Sequence, residues 1–258
     1  NLAVVAGVAP TSPYEPLLDR ELCDVPQNGG TRSWTEIDWA LATEWFRQNV
    51  AVFVVSLPNA TDSHARRTNM QVRLESLRML FEFVDGFDMR DKGAYQAAKE
   101  EGLIPSRYNI EKAMERAKEP VEGMGFGSIL GTVGCASAHF RAQNAGVRQG
   151  KKITIVFEDD VSPEFDFVPR LWRMITQEIP CDWQAVSLYS RCPFGRCVSP
   201  HLAKVQPDVN EPEWRCRHGV NYGFQGMAYR TDEIASLQKI WKPVVFDEER
   251  PHCLDVDV

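Results

Sequence analysis

The chain has 258 residues, enough to bury a full core in one large α/β domain or two smaller ones. Its hydrophobic content of 43% and charged content of 25% are those of a globular protein, and no apolar run approaches transmembrane length. The formal net charge of −7 argues against a general affinity for nucleic acid, while leaving room for a local basic cleft that binds a phosphate ligand. Seven cysteines (Cys23, Cys135, Cys181, Cys192, Cys197, Cys216 and Cys253) leave at least one unpaired within a monomer. With the acceptor triplet Asn59-Ala60-Thr61 they tilt the compartment toward a secretory lumen (ER or Golgi) over the cytoplasm, without fixing it. The first residue is Asn1, so a signal peptide or anchor upstream remains an open expectation.

Residues 1–32 are rich in Pro and Gly and lack periodicity, which predicts an irregular arm. Ser33 and Glu36 have capping-box spacing, and Ile37, Leu41 and Trp45 then fall on one helical face. We therefore divide the chain into an N-terminal arm and helix, 1–49, and a main domain, 50–258. That domain opens with Val50-Ala51-Val52-Phe53-Val54-Val55-Ser56-Leu57, a continuous apolar run suited to a central, covered strand. A polar loop carrying Arg66 and Arg67 follows. Met70, Leu74, Leu77 and Phe81 recur at helical spacing, and Phe83-Val84-Asp85-Gly86 reads as the next strand and its turn. Strand, loop, helix, strand is the opening of a parallel α/β sheet.

Residues 87–122 are highly charged and read as an insertion over one sheet edge, mostly solvated, with a weak helix from Asn109 to Ala117. Gly123-Met124-Gly125-Phe126-Gly127 is neither a Walker loop nor a dinucleotide fingerprint, and reads as a flexible loop before a helix. That helix shares Val133, Ala136, Phe140 and Val147 on one face and stops at Gly150. Further on, Phe165, Val168, Leu171, Trp172 and Ile175 predict a helix, Ala185 to Tyr189 a strand, and Phe224 to Tyr229 another. Thr231 is placed to cap a last helix bearing Ile234, Leu237 and Trp241. Between 190 and 220, Cys192, Cys197, Cys216, His201 and His218 match no standard zinc spacing, and a disulfide or free thiols fit better.

The chemistry concentrates in Ile153-Thr154-Ile155-Val156-Phe157-Glu158-Asp159-Asp160-Val161, a strand that runs into three consecutive carboxylates. Adjacent like charges repel, so a cation belongs at that tip, and hard oxygen ligands suit Mg²⁺ or Mn²⁺. In a parallel sheet this tip and the tip at Ser56 and Leu57 border one crevice at the carboxyl ends of the strands. A carboxylate-held metal with arginines nearby suits a diphosphate. Nucleotide-sugar transfer, phosphoryl transfer and nucleotidyl transfer all meet that description.

The order of motifs adds a resemblance. Val52 to Leu57 followed by Arg66-Arg67, then Phe83 to Gly86, then Gly131-Thr132-Val133-Gly134-Cys135-Ala136-Ser137-Ala138-His139, then Thr154 to Val161, then Gly226-Met227-Ala228-Tyr229 and Leu254-Asp255-Val256-Asp257 resemble successive motifs of glycosyltransferase family 25. That family includes lipopolysaccharide and procollagen galactosyltransferases. Thr132 departs from the acid usual before its Gly-Cys pair, and Ser137 stands two residues before His139 rather than beside it.

The resemblance implies a GT-A fold, with a Rossmann-like, mostly parallel sheet flanked by helices. It implies inverting transfer from a UDP-sugar, typically UDP-galactose, to a hydroxyl on a glycan or protein, with Mn²⁺ or Mg²⁺ at a DxD-type site. By that analogy Asp160 ligates the metal, and Asp159 and Glu158 contact metal or ribose. His252 is a possible further ligand, and Ser56, Leu57 and Arg66 or Arg67 border the nucleotide. Asp255 and Asp257 are candidates for the base, and His139 is expected only to cap or pack. The alternatives are a non-catalytic binding or adhesion protein of the same shape and a metal-dependent nucleotidyltransferase. The intact acidic triplet argues against the first, and release of pyrophosphate marks the second.

Overall fold

The computed structural model describes residues 2–5, 33–116, 129–179, 181–188, 196–199, 202–204 and 224–249. In chain order the elements are β1 (Leu2–Val5), α1 (Glu36–Asn49), β2 (Val50–Ser56), α2 (Ser63–Ser76), β3 (Glu82–Asp85), α3 (Lys92–Glu100), α4 (Ile110–Arg116) and α5 (Ile129–Gln149). They continue with β4 (Ile153–Glu158), α6 (Phe167–Arg173) extended by a π-turn over Met174–Glu178, β5 (Ala185–Ser187), β6 (Arg196–Ser199), β7 (Leu202–Lys204), β8 (Gly226–Arg230) and α7 (Ile234–Val245).

The strands form one sheet in the order β3-β2-β4-β8-β5-β1-β7-β6. β2 pairs in parallel with β3 and β4, whereas β8 is antiparallel to both of its neighbours, β4 and β5. Beyond them β1 is antiparallel to β5 and parallel to β7, and β6 is antiparallel to β7. Thus β3, β2, β4, β5 and β6 run one way and β8, β1 and β7 the other. The sheet is mixed, with most strands in one direction and helices packed on it, in agreement with the α/β, GT-A-like architecture implied by the motifs.

β2 is buried along its whole length, as a central strand covered on both faces must be. The sheet divides the core into two clusters, one on each face. Val52, Val54, Ile153, Ile155 and Phe157 pack with Ala42, Phe46, Met70, Leu74, Val168 and Leu171. Phe53, Val55 and Val156 pack on the opposite face with Val133, Phe140, Leu237 and Trp241. A side chain fully buried in either cluster contributes about 1.5–3 kcal/mol. α5 lies flush on β4 because a Cβ at Gly146 would overlap the Thr154 side chain. It ends at Gly150, whose φ of +73° suits glycine.

Several local expectations are corrected. The capping box of α1 is Thr35 with Asp38, not Ser33 with Glu36: the Thr35 hydroxyl accepts from the Asp38 N–H at 3.1 Å, and Asp38 accepts from the Thr35 N–H at 3.0 Å. The helix then buries Ala42 and Phe46 while Ile37 and Leu41 face solvent, because the Trp34 indole donates to Asp166 at 3.1 Å and α1 packs beside α6. α2 starts at Ser63, so Arg66 and Arg67 are helical rather than in a loop. Residues 87–116 are mostly exposed or half-buried, as expected, but Ala98, Leu103, Ile104, Tyr108 and Ala113 are almost wholly buried in the core. Phe165 and Val147 are exposed. Thr231 begins a 3-10 turn before α7, and its hydroxyl pairs with that of Thr154 at 2.9 Å instead of capping the helix. Leu2–Val5 is a strand within the predicted irregular arm.

Candidate functional site

Register brings the chemistry together. Val55 of β2 sits opposite Glu158 of β4, and Ser56 opposite Asp85 of β3, so three parallel strands end at one level. A cleft of roughly 330 Å³ opens over these tips, lined by Ser56, Leu57, Arg66, Glu158, Asp159 and Asp160. Its opposite wall is the start of α5, at Leu130, Gly131, Gly134 and Cys135, and the loop after β3, from Gly86 to Arg90. Gly134 is required there, since a Cβ would stand 2.7 Å from the Phe87 carbonyl oxygen.

The acidic tip is a turn held in place by α2. The Arg73 guanidinium donates to the Val161 carbonyl at 2.7 Å, and the Val161 N–H donates to the Glu158 carbonyl at 3.4 Å. The two adjacent arginines part company. Arg66 donates to Asp62 at 2.6 Å and to Asp159 at 3.4 Å, and lies 3.7 Å from Asp160. Arg67 turns toward β3: it donates to the Ser56 hydroxyl at 3.2 Å, pairs with Asp85, and stacks 4.8 Å above the Phe83 ring. Arg66 therefore lines the cleft, and Arg67 is not among the lining residues.

The acids of the triplet are not equivalent. Burial and the neighbouring Glu158 and Asp159 charges push the Asp160 carboxyl above its ordinary range, with Arg66 acting in the opposite sense. Burial pushes Glu158 the same way, but His139, Cys135 and Arg66 together outweigh it and hold that carboxyl below its ordinary value. Glu158 Oε1 lies 3.5 Å from the Cys135 thiol and 3.6 Å from His139 Nε2. The second distance is too long for a hydrogen bond, so the imidazole and carboxylate interact electrostatically.

Sequence reasoning placed Glu158, Asp159, Asp160, Ser56, Leu57 and Arg66 at one crevice, and the structure brings these six together. It missed the approach of Cys135 and His139 to Glu158. Their signal was an i, i+4 spacing inside a quoted motif, which puts both on one face of α5. It also missed Asp88 and Arg90 at the cleft rim, an ion pair with contacts of 2.6–2.7 Å. Asp255, Asp257 and His252 lie outside the described residues, as do the side chains of Cys192, Cys197, Cys216, His201 and His218 and the glycine-rich 123–127 stretch.

Residues 49–179, just over half of the chain, match the family model of glycosyltransferase family 25 (LPS biosynthesis protein). The chain belongs to glycosyltransferase family 25. The matched span contains every residue that lines the cleft. No curated protein matches the chain. Family membership makes this a glycosyltransferase, with a sugar donor and an acceptor as its substrates. Among the described residues no helix is long and apolar enough to cross a membrane.

Proposed function

We propose that this glycosyltransferase transfers galactose from UDP-galactose to a hydroxyl of a glycan or protein acceptor, with inversion, and that Mn²⁺ or Mg²⁺ held by Asp159 and Asp160 assists. What carries the reading is the convergence of two aspartates and one guanidinium at the carboxyl ends of parallel strands. The donor set fits a hard divalent cation: both ligands are carboxylates, and the Asp160 carboxyl is raised by burial and by the Glu158 and Asp159 charges, a repulsion that a cation relieves. Bound there, the ion supplies Lewis-acid stabilisation of the charge developing on the diphosphate leaving group.

The remaining work falls to the chain's own side chains. Arg66 reaches both aspartates from α2 and lines the cleft, where its guanidinium is placed to meet a phosphate oxygen. Ser56 and Leu57 form the wall at the end of β2. Glu158 directs Oε1 toward α5, so we assign it to the floor of the site rather than to the diphosphate. Inversion needs a base opposite the leaving group, and the Leu254-Asp255-Val256-Asp257 pattern nominates Asp255 or Asp257. The choice of galactose and of UDP rests on the motif resemblance.

Calorimetric titration of UDP-galactose, with and without Mn²⁺, tests the reading together with Asp160→Asn. Donor binding should require the metal, and the variant should bind about tenfold more weakly or worse, a loss of about 1.4 kcal/mol. Wild-type affinity in the variant would remove Asp160 from the metal site. Release of pyrophosphate instead of UDP on turnover would replace glycosyl transfer with nucleotidyl transfer.

A further inference from the structure

We infer that Cys135, His139 and Glu158 form a second metal site, selective for Zn²⁺, at the floor of the cleft. One sulfur, one imidazole nitrogen and one carboxylate oxygen lie within 4.8 Å of one another. Cys135 and His139 are one turn apart on α5, and Glu158 ends the adjacent β4, so three ligands come from two rigid elements.

The two separations to the Glu158 oxygen match a tetrahedral ion, and the third, sulfur to nitrogen, lies within 4.8 Å. Zinc bonds of about 2.3 Å to sulfur, about 2.05 Å to nitrogen and about 2.1 Å to oxygen place sulfur and oxygen about 3.6 Å apart, and nitrogen and oxygen about 3.4 Å apart. The observed separations are 3.5 Å for Cys135 Sγ to Glu158 Oε1 and 3.6 Å for His139 Nε2 to the same oxygen.

A second observation points the same way. The His139 side chain is only 3% exposed, yet among the described residues neither ring nitrogen has a hydrogen-bond partner. Burying an unsatisfied polar atom is costly, and the nitrogen facing Glu158 would be satisfied by a cation at that point. Of the buried polar groups nearby, the Tyr229 hydroxyl is likewise without a partner among the described residues, whereas two others are satisfied. The Ser137 hydroxyl donates to the Val133 carbonyl at 2.7 Å, and the Gln143 side chain accepts from Gln238 at 3.0 Å.

Ligand chemistry decides which ion. A thiolate and an imidazole favour Zn²⁺ over Mn²⁺ or Mg²⁺, whereas Asp159 and Asp160 offer oxygen alone. Three protein ligands leave a fourth position. Cys135 and Glu158 both line the cleft, so that position faces it and would take water or an anionic oxygen of a bound ligand.

The test reads metal and not turnover, so it stands apart from the fate of the UDP-sugar reading. The full chain is stripped with chelator, reloaded with ZnCl₂, desalted and analysed by elemental mass spectrometry. About one equivalent of zinc should remain, and it should fall away in Cys135→Ser combined with His139→Gln. Asp160→Asn should keep it.

The other cysteines are controlled for by loading the wild type with Co²⁺. A thiolate-to-cobalt charge-transfer band should appear and should vanish in Cys135→Ser. If a variant fails to fold, alkylation of the native wild type decides instead: added zinc should slow modification of Cys135, read by peptide mass. Zinc that stays in the double variant, a wild type that retains none, or unchanged Cys135 alkylation would each overturn the site. A metal-free contact between His139 and Glu158 would then be the better description.

Discussion

The two faces of β4 carry different loads. Ile153, Ile155 and Phe157 point into an apolar cluster against α1, α2 and α6. Thr154, Val156 and Glu158 point toward α5, where Ser137, His139 and Gln143 are also buried. One strand thus joins an apolar face to a face that combines apolar packing with buried polar groups. That face ends at Glu158, where the cleft opens. The lesson is that the chemistry sits on one side of these six residues, while apolar core packs on both.

The sharpest way to break this division is Ile155→Ala. The side chain is fully buried, and its loss should cost about 2–5 kcal/mol of stability in chemical denaturation. Donor affinity per folded molecule should stay at the wild-type value, because Ile155 faces away from the cleft. A variant that lost affinity while keeping stability would show that the two faces are not separable.

A smaller effect separates the two shifted carboxylates by pH. Glu158 is held below its ordinary value, so its stabilising contribution is present above that value and is lost as pH falls through its folded pKa. Asp160 is raised, so the sign reverses: stability falls as pH climbs from the ordinary aspartate range through the raised folded value. A cation on Asp160 competes with that proton. The thermal stabilisation given by Mn²⁺ should therefore shrink on acidification from about pH 7 to about pH 4, and begin to shrink above the usual aspartate range. In Asp160→Asn the metal increment should be small at every pH. An increment in the wild type that ignored pH over this range would detach Asp160 from the cation.

How much of this was legible in the sequence follows the range of the interactions. β2 and β4 could be read because an uninterrupted apolar run needs cover on both faces, a local demand. The acidic tip could be read because three adjacent carboxylates conflict with one another wherever they are placed. α1 was misread because two overlapping sets fit one period. Ile37 and Leu41 and the pair Ala42 and Phe46 are equally helical, and the choice was made by Trp34 and Asp166, 132 positions apart. In residues 87–116 abundant charge hid the few side chains that do the packing, Leu103, Ile104 and Tyr108 among them. The meeting of His139 with Glu158 depends on how closely α5 settles on β4, which Gly146 allows but does not announce.

Arg66 and Arg67 sharpen the comparison at its finest grain, because adjacent helical residues point about 100° apart. Arg66 stands against Asp159 and Asp160, where a cation is proposed. Its removal should act in two directions. Without the guanidinium the aspartates lose a competing positive charge, so affinity for bare Mn²⁺ should hold or rise. The same removal deletes a phosphate partner, so affinity for UDP should fall by about 1.5–3 kcal/mol, the range of a hydrogen bond to a charged group. Arg67 is engaged with Ser56, Asp85 and Phe83 instead. Arg67→Ala should change UDP affinity little and cost at most about 1 kcal/mol of stability, as a partly exposed ion pair does. Calorimetry with Mn²⁺ alone and then with UDP at saturating Mn²⁺ separates the effects. Equal responses from the two variants would mean that α2 contributes general positive charge rather than one aimed side chain.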